Sequence, residues 1–498
     1  MSKADAGPEP SPSLERGLGG LDATMIVMGS MIGSGIFITS AESARLAGSP
    51  GWLLMAWVLA GLLTVCGAIC SAEVAAMIPR AGGQYVFLRE AYGPSVGFLF
   101  GWSAFLVVGT GTIAAVAVAF AKFLGVLLPA VASDRYLVAP IHMGRYALSL
   151  STQQLVAIGL IALLTATNMR GLETGRRIQN VFTFSKIAAL VALIVAGFAL
   201  GRANPWERSW WLTDGTGSLE IRQSLPVGGL FAFVLVFGKA MVGPLFSQTA
   251  WNSVTFTGGE VRDPGRTLPR ALMIGCSSVV VLYLMANLSY LRTLPFVDIQ
   301  GAPQDRVATL AMQRLLGDAG TTVMATLILI STFGCNNGLI LSGARVFYAM
   351  ARDGLFFRAA GTTNARRVPA VALVAQGVWA AFLVLPVTVK QGPAGVPEYG
   401  NLYGQLLDYI IPVDLLFYTV MVASVLVLRA RRPGADRPYK TFGYPLTPLI
   451  YITLATFLIA DFVYLSPDVS GIGFLIALSG LPVYWAWSRL GRAPADEA

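Results

Sequence analysis

Long apolar runs repeat along the chain from about residue 21 to residue 488, separated by short breaks of charged residues, Gly and Pro. The runs are apolar on every face rather than along one stripe, as in helices surrounded by lipid or by other helices. About 20 residues are needed to cross a hydrocarbon layer. On that measure the pattern predicts twelve helices near 21–44, 52–78, 94–129, 151–169, 178–201, 227–259, 271–293, 319–350, 369–388, 404–429, 446–465 and 470–488. The fold class is an all-α polytopic membrane protein. Residues 1–17 are rich in Pro, Ser, Gly and charge and are expected to be a disordered cytoplasmic tail. Residues 18–489 form the transmembrane domain, and 490–498 a second short cytoplasmic tail. The first run is too long, with the wrong flanks, for a cleaved signal peptide, and no interruption leaves room for a soluble domain.

Composition agrees. Only 12% of the 498 residues are charged and 55% are hydrophobic, whereas a soluble domain carries roughly 25% charge. The net charge of +9 comes from 35 Lys and Arg against 26 Asp and Glu. With the N-terminus inside, about two thirds of the basic residues fall in inner loops or at inner helix ends, as basic residues do in cytoplasmic loops. The excess therefore reports topology, with an even number of spans and both termini cytoplasmic, rather than nucleic-acid binding. Lys122 and Lys239 sit toward outer helix ends and read as interfacial. The four cysteines, Cys66, Cys70, Cys276 and Cys335, lie in apolar helical stretches and read as small packing residues, and the single histidine, His142, lies in an outer loop. No metal-ligand spacing, nucleophile motif or phosphate loop is present. The chain reads as a non-enzyme with no metal and no cofactor.

Two helices carry signs of interruption. The first contains Gly29-Ser30-Met31-Ile32-Gly33-Ser34-Gly35, where five of seven residues are poor helix formers. Close helix packing through small residues is one reading. An unwound backbone is the other, tolerable in a membrane only where it lines a cavity or binds something. The half-helix after the break would aim its N–H groups and positive dipole end at a carboxylate. Helix 6 is the second. It is long, punctuated by Gly238, Gly243 and Pro244, and carries the polar run Phe246-Ser247-Gln248-Thr249-Ala250-Trp251-Asn252. Interrupted helices at matching places in two halves mark inverted-repeat transporters. A first repeat of about 21–201 and a second of about 227–429 would be followed by peripheral helices 11 and 12 over about 446–488.

At this point the sequence resembles a known family. Five stretches carry the likeness in order: Gly29–Phe37; Glu73–Pro94 with Ile78-Pro79-Arg80-Ala81-Gly82-Gly83-Gln84-Tyr85; Trp251-Asn252 with Glu260–Pro269; Phe333–Gly338 through Arg345 and Ala351–Gly354; and Arg437–Lys440 leading to Gly443-Tyr444-Pro445. Together they resemble the amino acid–polyamine–organocation superfamily, near its L-type amino acid transporter branch. The resemblance implies a LeuT-type fold of twelve transmembrane helices with a 5+5 inverted repeat and broken helices 1 and 6. It implies a substrate bed over Ser30, Met31, Ile32, Gly33, Ser34, Gly35, Phe246, Thr249, Trp251 and Asn252. Ser34, Gly35 and the amide ends near Gly33 would take the α-carboxylate. The carbonyls of Met31, Phe246 and Thr249 would take the α-ammonium, Phe246 would form an outer lid, and Trp251 and Asn252 would shape the side-chain end. One departure stands out: the family's break in helix 6 often has Gly-Gly before Trp-Asn, whereas this chain has Thr249-Ala250.

Lys186 lies in the apolar run of helix 5, where an ionisable group is costly and marks function, unless it snorkels to an interface. In sodium-independent relatives a lysine here takes the place of a sodium ion, which assigns Lys186 a coupling role with Ser331 and Thr332 of helix 8 as neighbours. Glu73 and Glu260 read either as a cytoplasmic gate or as solvated helix ends, and Asp408 and Asp414 of helix 10 could face an aqueous path. No carboxylate falls within 29–37 or 246–252, which favours neutral substrates. The expected function is sodium-independent transport of small to mid-sized neutral L-amino acids by alternating access and exchange, in the plasma membrane, with a bacterial inner membrane favoured. Proton-coupled symport of amino acids or amines is the alternative, and a channel or sensor a distant third. The loop between helices 3 and 4 lacks the cysteine by which some relatives attach a heavy subunit, so none is expected. The oligomeric state is not legible.

Overall fold

The computed structural model describes residues 16–144, 146–204, 209–212, 222–223, 225–226, 228–391, 397–399 and 402–490. The tail expected over 1–17 lies almost wholly outside the described residues, as do residues 491–498 and the side chain of Asp408.

The molecule is a bundle of apolar helices. Among the described residues, ten are long and apolar enough to cross a membrane: Gly20–Ile38, Pro50–Met77, Pro94–Leu127, Leu172–Leu200, Gly229–Ser247, Pro264–Thr293, Val307–Arg352, Tyr409–Arg431, Leu446–Leu465 and Ser470–Arg489. Two shorter apolar helices, Thr152–Asn168 and Ala370–Leu383, fall where helices 4 and 9 are expected. We keep the numbers 1–12 for these segments. Helix 4 starts at a capping box. The Ser151 hydroxyl accepts from the Gln154 amide, and the Gln154 side chain accepts from the Ser151 N–H at 2.7 Å. The Gln154 amide nitrogen then donates to the carbonyls of Val384 and Leu385 and ties helix 4 to the end of helix 9.

Helices 1 and 6 are discontinuous. Helix 1 runs Gly20–Met31, breaks over Ile32–Ser34, resumes as Gly35–Ile38 and continues through Ser40–Ala47. Helix 6 runs Gly229–Ala240 and Val242–Ser247, breaks, and ends in the single turn Ser253–Phe256. Helix 6, expected over 227–259 with one break at the polar run, is therefore three pieces, with a further interruption at Met241, where Pro244 has no N–H to donate to Ala240. Helix 3 contains a π-helical segment, Ala104–Val108, with the Thr110 hydroxyl donating to the Phe105 carbonyl. Helix 8 is longer than expected. It absorbs 307–318 across a kink at Gly317, where φ is +64°, a value that glycine adopts without strain.

Helix 1 packs among helices 5, 7 and 8, and helix 8 packs against helices 3 and 5, so the break in helix 1 lies at the centre of the bundle. The chain after the tail is anchored too: Leu18 exchanges hydrogen bonds with Glu260 and Arg262 at the end of helix 6.

A small sheet departs from the all-helical expectation. Strands β1 (Tyr136–Met143), β2 (Tyr146–Ser151), β3 (Pro386–Gln391) and β4 (Pro397–Tyr399) pair in that order, antiparallel. The segments were expected as loops after helices 3 and 9, except Ser151 at the expected start of helix 4 and 386–388 at the expected end of helix 9, which instead stops at Leu383. Residues Tyr146–Ser151 alternate exposed and buried, the period-2 signature of a half-buried strand. The run is short and abuts the apolar run of helix 4, which hides it. His142 lies on β1 beside the Tyr399 hydroxyl, 3.2 Å from its ring nitrogen.

Candidate functional site

The two breaks meet. The Ile32 dihedrals (φ −75°, ψ 84°) take the backbone out of the helix. The amides of Gly35 and Ile36, which open the next helical piece, have no acceptor within the helix they begin. Gly35 abuts helix 6: a Cβ there would lie 2.7 Å from the Ser247 Cβ. A Cβ on Gly33 would lie 2.9 Å from the Cys335 sulfur, and one on Gly338 2.9 Å from the Ser30 hydroxyl. The glycines in this region therefore serve both expected purposes. They let the chain unwind, and they let helices 1, 6 and 8 approach without side chains between them. Across the same contact the Thr39 and Ser247 hydroxyls are 3.1 Å apart.

Lys186 is fully buried. Its ammonium donates to the carbonyls of Gly29 (2.5 Å), Ile32 (2.9 Å) and Ser331 (3.4 Å). The Ser331 hydroxyl donates to the Ile32 and Gly33 carbonyls at 3.2 and 3.4 Å. The carbonyls released by the break in helix 1 are thus held by a cation from helix 5 and a hydroxyl from helix 8. Snorkelling does not apply, since the ammonium points into the bundle. Thr332, expected as a second neighbour, instead bonds within its own helix, to Ile328 at 2.8 Å and Leu329 at 3.2 Å. Sequence reading missed Tyr283 and Tyr290 of helix 7, whose hydroxyls donate to the Met31 and Ile36 carbonyls at 2.8 and 3.2 Å. It also missed Cys335, whose thiol donates to the Ser30 carbonyl at 3.1 Å. Nothing in their sequence spacing connects them to residues more than 250 positions away.

Several expected ligand groups are already engaged in this conformation. The Met31 carbonyl accepts from both the Gly33 amide and Tyr283. The Phe246 carbonyl accepts from the Thr249 amide at 3.1 Å and the Thr249 hydroxyl at 2.8 Å. A carbonyl has two lone pairs, so an incoming ammonium must displace a donor at either. Phe246 is only 6% exposed. Trp251 and Asn252 are turned toward the packing beyond the break. The Trp251 ring stacks on Tyr418 with centroids 5.0 Å apart. The Asn252 amide donates to Gln84 at 2.5 Å, and its carbonyl oxygen accepts from the Tyr418 hydroxyl at 3.0 Å. The Thr249-Ala250 departure also has a geometric consequence. Ala250 has φ +63°, a left-handed conformation that glycine adopts freely and alanine at a cost.

The remaining sequence motifs converge at the end of the bundle where the described chain begins. Glu73 of helix 2 accepts from Nε and Nη2 of Arg429 at 2.7–2.8 Å and from the Thr441 amide at 2.7 Å, with Arg437 3.3 Å away. Glu260 and Arg345, 1% and 0% exposed, form a two-pronged ion pair at 3.1–3.3 Å. Arg89 pairs with Asp353, which also accepts from the Tyr85 hydroxyl at 2.7 Å. Glu90 pairs with Arg432 at 2.7 Å, and that bond leads in holding its carboxyl below the usual carboxylate range. Among the described residues no group of three or more His, Cys, Asp or Glu side chains could hold a metal ion.

The family model for amino acid permease matches residues 18–487. The chain belongs to the amino acid permease family. The permease is 30% identical over 493 residues to the human "Large neutral amino acids transporter small subunit 2", covering 97% of this chain and 83% of that protein. It is 29% identical over 483 residues to the mouse "Asc-type amino acid transporter 1", covering 95% of this chain and 81% of that protein. It is 27% identical over 479 residues to the "Serine/threonine exchanger SteT" of Bacillus subtilis (strain 168), covering 96% and 98% of the two chains. The permease is an amino acid transporter of the membrane, not an enzyme.

Proposed function

We propose that this permease is a sodium-independent exchanger of small to mid-sized neutral L-amino acids, working by alternating access. The observation that carries the reading is Lys186, whose buried ammonium bridges the broken helix 1 and helix 8 where a coupling cation would otherwise sit. A fixed protein cation removes the need for a dissolved one. The relatives support the substrate class. One is named a transporter of large neutral amino acids and another an exchanger of serine and threonine.

The reading takes the twelve segments as a LeuT-type fold, with helices 1–5 and 6–10 as inverted repeats and 11 and 12 peripheral. The substrate lies between Ser30–Gly35 and Phe246–Asn252. The α-carboxylate meets the amides at Ser34 and Gly35. The α-ammonium replaces Tyr283 or Thr249 at the engaged carbonyls. The cluster around Glu73 and Glu260 is the cytoplasmic gate, closed in this conformation, with both termini on that side. The loop after helix 3 has no cysteine, which favours function without a disulfide-linked heavy subunit.

Purified permease in liposomes loaded with unlabelled L-alanine tests this. Labelled L-alanine is expected to enter in sodium-free buffer, faster than into empty liposomes. A strict sodium requirement overturns the reading, and entry of labelled tryptophan faster than alanine or serine overturns the size range.

A further inference from the structure

On the outside of the bundle, helix 2 is flanked by helices 7 and 11. A Cβ on its Gly61 would lie 2.5 Å from Val280 of helix 7, and one on its Gly67 3.0 Å from the Tyr451 ring of helix 11. These glycines let both neighbours close on helix 2. The face left open between them carries Leu62, exposed, with Cys66 and Ile69 half-buried one and two turns on. The walls are apolar too, since Ile274 and Val281 of helix 7 and Leu446 of helix 11 are exposed. An exposed apolar furrow along a membrane span is a place for lipid chains.

One end of the furrow is basic. The exposed face of helix 7 runs Arg266, Arg270, Ile274 and Val281, so it changes from cationic to apolar within a turn. The segment before helix 11 lies along it. Pro438 meets Gly265, where a Cβ would lie 3.3 Å away, and the Tyr439 hydroxyl donates to the Met273 sulfur at 3.6 Å. That contact brings Lys440 to the same end, with Phe442, 79% exposed, two residues on. Arg266, Arg270 and Lys440 are exposed, and none has a hydrogen bond or ion pair among the described residues. Asp263 and Asp436 are the exposed carboxylates of the two segments, and with Arg262 counted the balance stays positive. From Arg270 to Val281 the helix rises about 16 Å, close to the ~15 Å of hydrocarbon in one leaflet.

We propose that the furrow over helix 2 binds an anionic phospholipid, with its phosphate held by Arg266, Arg270 and Lys440 and an acyl chain lying along Leu62, Cys66 and Ile69. Charge selects the occupant. A headgroup with net negative charge gains from all three cations, whereas a choline headgroup brings its own cation and gains little. Each basic residue at an anionic headgroup is worth about fivefold in affinity. The proposal does not depend on which substrate is carried. In the proposed topology the lipid sits in the cytoplasmic leaflet.

The test is native mass spectrometry of the purified full chain, titrated with phosphatidylglycerol and with phosphatidylcholine of identical acyl chains. The wild type is expected to bind phosphatidylglycerol at least tenfold more tightly. In the triple variant Arg266→Gln, Arg270→Gln, Lys440→Gln the ratio is expected to fall to near one. Arg266→Lys with Arg270→Lys keeps the charge and is expected to keep most of the preference, which separates loss of charge from loss of folding. Arg358→Gln with Arg367→Gln removes two exposed cations outside the furrow and is expected to leave the ratio unchanged. Equal affinities in the wild type, an unchanged ratio in the triple variant, or an equal fall in the Arg358 and Arg367 variant overturns the proposal. So does glycerol 3-phosphate competing at the same concentration as phosphatidylglycerol, which would assign the cations to a soluble anion.

Discussion

Lys186 ties most of the centre together. Its ammonium satisfies carbonyls of Gly29 and Ile32 that the break in helix 1 deprives of helical partners. Removing it leaves buried carbonyls unpaired, at about 1–3 kcal/mol each. Lys186→Ala is expected to lower exchange turnover at least tenfold, read as labelled alanine uptake into loaded liposomes; full uptake by that variant contradicts the role. Ala250 offers an independent residue-level test. Holding a non-glycine residue in the left-handed region costs of order 1–2 kcal/mol. Ala250→Gly is expected to raise detergent-solubilised thermal stability by about 1 kcal/mol, measured as a rise in melting temperature. At the residue scale the sequence marks Lys186 directly, since a lysine in an apolar run declares itself, while its coupling role is a proposal. The same reading could not see that Thr332 would turn back onto its own helix or that Tyr283 would reach Met31. Those outcomes depend on rotamers and on helices distant in sequence.

At the scale of elements, composition revealed the breaks but not their geometry. The glycine and serine clusters of helix 1 marked an interruption, and Gly35 against Ser247 shows why that cluster also needs glycine for packing. Gly35→Ala is expected to abolish exchange by pressing the two broken helices apart, and Ser247→Gly in the same chain to restore at least part of it. Transport by Gly35→Ala alone would show that the contact is looser than the structure has it. The sheet of β1–β4 was not legible, because its strands are short and lie in stretches that hydropathy marks only as breaks. The kink at Gly317 was missed for a related reason, since one glycine in a long apolar helix is an ordinary event.

The sequence motifs outside the two helix breaks gather at one end of the molecule. Glu73, Arg89, Glu260, Arg345, Asp353, Arg429 and Arg437 are far apart in sequence, yet they meet in ion pairs there. The resemblance covers these residues except Arg429 but did not show which would pair. The Glu260–Arg345 pair is the most buried. Removing one partner of a buried pair costs about 3–5 kcal/mol, because a charge is left unpaired. Glu260→Gln is therefore expected to lower the melting temperature sharply, while removal of the more exposed Glu90 partner Arg432 changes it little. Equal losses would place the two pairs in similar surroundings. The central claim, exchange without sodium, is tested most directly by counterflow: uptake of labelled L-alanine in sodium-free buffer, compared between liposomes loaded with unlabelled L-alanine and empty ones. Exchange predicts rapid uptake only into the loaded liposomes. Equal uptake into both, or uptake that appears only when sodium is added, would contradict it.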